Sequence, residues 1–507
     1  MSTATPIQTA DATEVRTLRN YIGGTFVEAA TSEHLDVTEP ATGALLARVP
    51  LSSAADLDDA VRAAQEAFPA WRRTPTIERA RRMFTLRQAL IENQGEIARL
   101  ITQDMGKTLP DAFAEVGRAI EMVECASAVP TTMQGRNLEN VATNVDCETY
   151  RQPIGVFGAI CPFNFPAMVP MWFLPFAVAC GNTFVLKPSE QVPLAQEAIF
   201  KLIHELELLP PGVINLVNGG REVVEGICDH PGIAGVSFVG SATVAKLVYE
   251  RSARAGKRVQ ALGGAKNHMV VMPDAVVDKT VEGIISSSFG AAGQRCMAGS
   301  VLVTVGEAHE RVVPPLIAAA EQLRVGNGLE QGIGVGPLVS SERREIVRSW
   351  IDKGAAEGAS IVLDGREESG DNDAGAFVGP TIMDDVTPDM EVAREEIFGP
   401  VLSVVKVDTL EQAIAVVNGS RYGNGSSIFT ESGAVARRYR HDCDAGMIGV
   451  NVGVAAPVAF FPFSGWKDSF LGDLHAHGGD AIDFYTRKTT VTTRWLSDGE
   501  TGKFFVE

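Results

Sequence analysis

The sequence predicts an α/β protein with two separate sheets, and three observations predict it. From Pro153 onward, short apolar runs of strand length alternate with helical stretches, the pattern of a parallel, doubly wound sheet. Beyond Pro273 a second alternation of strand and helix begins. The chain's 507 residues are too many for one ordinary core, and 45% hydrophobic with 21% charged residues is a globular composition.

Residues 1–14 have neither a basic start nor an apolar core, so they read as a tail and not as a secretory or transit signal. Residues 18–28 alternate around Gly23-Gly24 and predict a hairpin. Helical periodicity runs over 53–70 (Leu57, Val61, Ala64, Phe68) and over 76–105 (Met83, Leu86, Leu90, Ile97), with Ser53 and Thr76 as caps. A further helix, 110–128, carries Arg118, and 135–152 reads as extended. Strands are expected at 154–160, 183–186, 213–217, 236–239 and 269–272, with helices such as 195–207 and 243–255 between them. Ligands of such a sheet collect at the carboxyl ends of its strands, where Asn164, Lys187, Gly219 and Gly240-Ser241 fall. No GxGxxG is present, and the glycine run 332–336 lacks the strand–helix context to replace it.

In the second half the expected elements are a helix ending before Cys296, a strand at 300–305, a helix near 307–323, strands at 361–363 and 401–405, and helices at 410–417 and 433–440. A ligand site is expected in the cleft between the two units. The acidic stretch 365–374 reads as a solvated loop, and 484–495 alternates like a strand.

A net charge of −19, with no long Lys/Arg cluster, argues against nucleic acid or an anionic membrane as partner. The most apolar tract, 167–180, is shorter than a membrane span and contains Pro170 and Pro175, so it reads as buried backbone near a site. Seven cysteines without paired spacing fit free thiols in a reducing cytoplasm and offer no CxxC zinc site. The eight histidines form no ligand cluster, so no metal is expected.

Residues 289–300, Phe-Gly-Ala-Ala-Gly-Gln-Arg-Cys-Met-Ala-Gly-Ser, set Cys296 in a glycine-rich loop after an apolar helix. Alone, that placement leaves open both a catalytic thiol and a buried small hydrophobe. Other motifs accompany it: Pro162-Phe-Asn-Phe-Pro166, Leu186-Lys-Pro-Ser-Glu190, Ser237-Phe-Val-Gly-Ser241, Glu396-Ile-Phe-Gly-Pro400 and Pro462-Phe-Ser-Gly-Trp-Lys467. Together they resemble the aldehyde dehydrogenase superfamily over nearly the whole chain. Within it, Gly293-Gln-Arg-Cys-Met297, the tract 161–168 and Gly264-Ala-Lys-Asn-His268 are most similar to the CoA-acylating branch that takes methylmalonate semialdehyde.

The resemblance implies an aldehyde dehydrogenase-like fold. A Rossmann-type NAD-binding domain would comprise 1–130 and 150–262, an α/β catalytic domain 263–465, and a small β oligomerisation arm 131–149 and 480–507. It implies a cytoplasmic homotetramer, a dimer of dimers, in which the tail strand pairs with the arm across a subunit contact. An aldehyde has no hydride to give until a nucleophile adds to its carbon, and Cys296 would be that nucleophile. By resemblance Asn164 and the Cys296 N–H hold the resulting oxyanion. Lys187 and Glu190 would take the adenosine ribose, with Glu190 repelling a 2′-phosphate and favouring NAD. Gly240 and Ser241 would meet the pyrophosphate at a helix start, Glu396 and Phe398 the nicotinamide ribose and ring, and Phe163 would also line the cofactor site. Arg118 and Arg295 would hold a substrate carboxylate, with Phe163, Phe461 and Phe463 walling the pocket.

One departure is informative. The hydrolytic branch has a water-activating glutamate before Leu-Gly-Gly, where this chain has Ala261. A thioester would then wait for CoA as co-substrate. The reaction implied is NAD-dependent oxidation of methylmalonate or malonate semialdehyde to propionyl-CoA or acetyl-CoA with loss of CO2. Two alternatives stand beside it: a hydrolytic aldehyde dehydrogenase using another carboxylate such as Glu396, and a catalytically silent NAD-binding protein on a reused fold.

Overall fold

The computed structural model describes residues 15–368, 370 and 374–496. The tail expected over 1–14, residues 369 and 371–373 of the acidic loop, and 497–507 of the expected arm lie outside them.

Across the first sheet the order is Thr25–Val27, Asn20–Ile22, Ile214–Leu216, Thr183–Lys187, Val156–Ile160, Ile233–Val239, Arg258–Leu262 and Phe470–Gly472. The five strands from Ile214–Leu216 to Arg258–Leu262 run parallel. Val156–Ile160 and Thr183–Lys187 are buried at every position, as strands covered on both faces must be. The expected hairpin closes one edge antiparallel, and Phe470–Gly472, from the far end of the chain, closes the other.

The second sheet runs Ser360–Leu363, Thr381–Asp384, Val401–Val407, Gly299–Val305, Asn267–Val271, Gly425–Phe429 and Met447–Val450. All its pairs are parallel except the first. The strand expected at 269–272 as part of the first alternation belongs here, and Arg258–Leu262, which the sequence reading omitted, takes the place in the first sheet. Both are short, largely buried strands that periodicity cannot assign to a sheet, and Gly263-Gly264 lies between them where the chain crosses over.

Other elements depart from expectation for local reasons. The single helix expected over 76–105 is two, Thr76–Glu92 and Gln94–Met105, separated at Asn93, whose φ of −111° and ψ of 12° leave the helical region. Its Nδ2 donates back to Ala89 O at 2.9 Å, competing with the helix as asparagine does. Tract 167–180 forms a helix, Met168–Ala179, buried at every position in spite of Pro175. Helix Ser341–Glu357, capped by Ser340, and strand Thr381–Asp384 were not anticipated. Among the described residues no helix is long and apolar enough to cross a membrane.

The third sheet corrects the expected subunit contact of the tail. Thr486–Arg494 pairs antiparallel with Val145–Pro153 of the same chain, in unbroken register from Thr486 opposite Pro153 to Arg494 opposite Val145. Asn137–Ala142 takes the other side of that strand, so both of its edges are satisfied within one chain.

The first sheet separates two cores, and this decides which side chains reach the cleft. One face packs against helices Leu109–Ser127 and Met168–Ala179, in a cluster that includes Leu262, Met297 and Phe463 and is flanked by Cys296. The other packs beneath helices Ala54–Trp71 and Ala242–Arg254 and includes Phe238, Val259 and Ala261.

Candidate active site

The helix Val277–Phe289 delivers the chain into a tight turn, Gly290–Gly293, before Cys296. Ala291, Ala292 and Gly293 all have positive φ, at 50°, 52° and 69°, a left-handed run that costs energy at the two alanines. Two glycines are dictated by close approach. A Cβ on Gly293 would lie 2.1 Å from Gly399 O, so only glycine lets the loop press on the 396–400 segment. A Cβ on Gly290 would lie 1.4 Å from Arg295 Nη2, so the Arg295 guanidinium folds across bare backbone.

Cys296 is then pinned by its carbonyl, which accepts from Asn267 Nδ2 and from Asn424 Nδ2, both at 2.9 Å. Asn267 sits in the quoted Gly264–His268 motif; Asn424 carried no signal in the sequence. Asn164, after the Val156–Ile160 strand, donates from Nδ2 to Gln294 O at 3.0 Å, two residues before the thiol. Its own carbonyl accepts from Lys107 Nζ at 2.6 Å.

A cavity of about 210 Å³ opens over Cys296, and it brings together Arg118, Arg295 and Phe463 with Trp172 and His477. Arg118 donates to Glu121 Oε2 at 2.6 Å and to Pro457 O. Arg295 Nη2 lies 3.6 Å from Asp111 Oδ1. Phe461 was expected to wall this pocket and does not: it is 63% exposed, because its backbone, not its ring, faces inward, the carbonyl meeting His477 Nδ1. Phe163 is also absent from the lining and instead meets Phe398 edge-on, with ring centroids 5.8 Å apart.

Burial, with the Glu396 charge adding to it, pushes the Cys296 thiol up to about 12. The N–H groups of Cys296 and Met297 and the Arg295 charge pull the other way and are outweighed. Burial likewise raises Glu396 to about 7, although Ala265 N–H donates to its Oε1 at 3.0 Å and Lys266, Arg343 and Arg421 favour its ionised form. Phe398, two residues on, holds a φ of 57°.

The strand that carries Ala261 shows a different core to each side of the sheet. Side chains of a strand alternate between faces, and Ala261 points into the opposite core with Val259 and Phe238. Leu262 is the residue of that strand on the thiol's side. Neither carries a carboxylate.

At the strand ends of the first sheet, Lys187 is buried and ion-paired with Glu190, whose side chain stays 31% exposed. Gly240 leads into helix Ala242–Arg254, whose N-cap Ser241 makes no side-chain capping bond, so that cap leaves the first N–H groups of the helix open to an anion.

A sequence model described as the aldehyde dehydrogenase family matches residues 26–491. The chain is 52% identical over 483 residues to malonate-semialdehyde dehydrogenase 2 of Geobacillus kaustophilus, covering 95% of this chain and 100% of that one. It is 51% identical over 481 residues to a malonate-semialdehyde dehydrogenase of Lacticaseibacillus casei, covering 95% and 97%. Among solved structures, methylmalonate-semialdehyde dehydrogenase of Oceanimonas doudoroffii superposes with a TM-score of 0.93 at 43% identity, covering 96% and 99%. A Sinorhizobium meliloti 1021 protein, provisionally described as a methylmalonate-semialdehyde dehydrogenase and complexed with NAD, superposes at 0.94 with 41% identity and the same coverage.

Proposed function

The chain belongs to the aldehyde dehydrogenase family, and from that premise we propose that it oxidises malonate or methylmalonate semialdehyde with NAD and transfers the acyl group to CoA. The observation that carries this reading is the cavity that gathers one thiol, Cys296, with two guanidinium groups, Arg118 and Arg295. A semialdehyde acid offers an electrophilic carbon to the first and a carboxylate to the others.

The residues fit NAD. The uncapped start of helix Ala242–Arg254 suits a pyrophosphate, and a partly exposed carboxylate at Glu190 beside Lys187 suits two ribose hydroxyls while repelling a 2′-phosphate. Gly264 has the same import: a Cβ there would lie 2.7 Å from Glu396 Oε2, so bare backbone keeps room around that carboxylate. We assign Gly240 and Ser241 to the pyrophosphate, Lys187 and Glu190 to the adenosine ribose, and Glu396, Phe398 and Phe163 to the nicotinamide end. When bound, NAD accepts the hydride from the aldehyde carbon.

The chain's own residues do the rest. Cys296 Sγ adds to the aldehyde carbon, and the oxyanion so formed takes hydrogen bonds from the Cys296 N–H and from Asn164, whose amide has a second N–H beyond the one given to Gln294 O. Arg118 and Arg295 hold the substrate carboxylate, and Phe463 walls it. Once the hydride has left, Cys296 carries a thioester. No carboxylate stands at Ala261 or Leu262 to activate water, so the thioester passes to the CoA thiol, and loss of CO2 yields acetyl-CoA or propionyl-CoA. We further propose that the chain divides this work between an NAD-binding unit, 1–130 and 150–262, and a catalytic unit, 263–465. An arm of 131–149 and 480–507 would serve a homotetramer.

One observation favours a second reading. Glu396, raised to about 7 and near enough for its charge to act on Cys296, has the properties of a general base for water, which would make the enzyme hydrolytic. The test mixes protein, NAD and malonate semialdehyde with and without CoA and identifies the product by mass. The acylating reading expects about one NADH per active site without CoA, and steady turnover to acetyl-CoA with it. Steady turnover to a free acid without CoA overturns it in favour of the hydrolytic one, and no NADH at all would mean a silent fold.

A further inference from the structure

Two side chains of the Cys296 cavity hold buried polar atoms without partners. His477 is 1% exposed, and its Nδ1 lies 2.9 Å from Phe461 O. A carbonyl only accepts, so Nδ1 carries the proton and Nε2 keeps its lone pair. That Nε2 is buried and makes no hydrogen bond. Trp172, 2% exposed, holds its indole Nε1–H in the same condition, a buried donor with no acceptor. The two rings meet edge to face with centroids 5.2 Å apart, and both line the cavity beside Arg118, Arg295 and Cys296.

Resting on the reading that this cavity takes a short semialdehyde acid, we propose that Trp172 and His477 form a subsite for a hydroxyl group on the carbon between carboxylate and aldehyde, so that a 2-hydroxy-3-oxo acid is a substrate. A hydroxyl is the smallest group that both donates and accepts, so it is the group that can answer an acceptor at Nε2 and a donor at Nε1–H alike. A hydrogen or a methyl at the same carbon leaves both unpaired, although the methyl fills the same volume. An apolar pocket barely distinguishes hydroxyl from methyl, whereas a pocket with buried unpaired polar groups penalises the analogue that cannot bond them. The rings also have apolar neighbours: Phe463 lies tilted against Trp172 with centroids 4.6 Å apart, and Met168 lines the same cavity. Burial, with the Arg118 charge, keeps His477 neutral by lowering it to about 4, so it is an acceptor at neutral pH.

The experiment has a binding arm and a turnover arm. Titration calorimetry compares hydroxymalonate with malonate and methylmalonate, none of which can be oxidised by hydride loss at an aldehyde. Hydroxymalonate is expected to bind at least about tenfold more tightly than either, and the preference is expected to shrink to within about twofold in His477→Phe and in Trp172→Phe. Equal binding of the three by the wild type, or a preference unchanged in both variants, overturns the subsite. The wild-type comparison decides alone should a variant fail to fold. In the turnover arm, kcat/KM for NAD reduction with 2-hydroxy-3-oxopropanoate is expected to exceed that with methylmalonate semialdehyde, and the ratio is expected to collapse in the variants. Preferential binding of hydroxymalonate with no turnover of any semialdehyde acid sinks the proposed reaction and leaves the subsite standing. Turnover of malonate semialdehyde with no advantage from the hydroxyl does the reverse.

Discussion

Lys107 donates to Glu115 Oε2 at 2.6 Å, with the two side chains 1% and 0% exposed. The same ammonium donates to Asn164 O at 2.6 Å, and Glu115 Oε1 accepts the N–H groups of Ala167 and Met168 at 2.8 and 3.1 Å. One buried ion pair thus grips both sides of the loop that carries Asn164, and it also closes the start of helix Met168–Ala179, where a carboxylate meets the positive end of the helix dipole.

Breaking that pair from one side leaves a buried charge alone. Lys107→Met and Glu115→Gln are each expected to cost about 3–5 kcal/mol in denaturant unfolding, and both lower the rate of NAD reduction because Asn164 loses its anchor. The Lys107→Met, Glu115→Gln double variant costs less than the sum of its singles by at least about 1 kcal/mol. Strict additivity in that cycle would mean that the two side chains act independently.

The raised Cys296 thiol predicts sluggish alkylation in the free protein. Its rate with iodoacetamide, taken as the difference from Cys296→Ala, is expected to climb steadily from pH 7 to pH 10 without levelling near the ordinary thiol value of about 8.5. A plateau below pH 8 would show a base acting on the thiol in the absence of ligand.

Glu396 gives stability a pH slope of defined sign. Its native value of about 7 lies above the ordinary carboxyl range, so between those values the native state binds more protons than the unfolded one, and its contribution falls as pH rises. Glu396→Gln removes this, so Tm of the variant minus Tm of the wild type is expected to be larger at pH 8 than at pH 5. A difference independent of pH across that window contradicts a raised Glu396.

Glu190 sets cofactor choice if its carboxylate repels a 2′-phosphate. Replacing it by glutamine is expected to raise the NADP-to-NAD ratio of kcat/KM about tenfold or more, the effect of removing one like charge a few ångströms away. An unchanged ratio would separate Glu190 from the adenosine ribose.

What the sequence made legible was local. The thiol loop announced itself through Gly290 and Gly293, whose backbones must admit Arg295 and Gly399, and through a helix that ends beside them. The strand–helix alternation gave the parallel sheets, because strands buried on both faces leave continuous apolar runs. Long-range facts were not legible in the same way. The face of a strand that looks at the thiol depends on which core lies on which side, and no spacing tells that Ala261 joins one core and Leu262 the other. Trp172 and His477 share a cavity only after the whole chain is folded, and Asn424, a lone asparagine after Gly423, grips the Cys296 carbonyl through a pairing no spacing announces. Asn93 hid a helix break inside an unbroken apolar period, since one polar residue in a helical run is ordinary.

The strand Phe470–Gly472 has an implication for synthesis. It covers Arg258–Leu262, and Tyr485 Oη meets Ser237 Oγ at 2.9 Å beneath it. A ribosome must therefore translate the chain as far as Gly472 before the first sheet receives its last neighbour. Until then the growing chain carries an open row of amide and carbonyl groups, a template for pairing with another nascent chain. The first sheet draws its strands from Asn20 through Gly472, so a fragment that stops short of Phe470 leaves Arg258–Leu262 as an open edge.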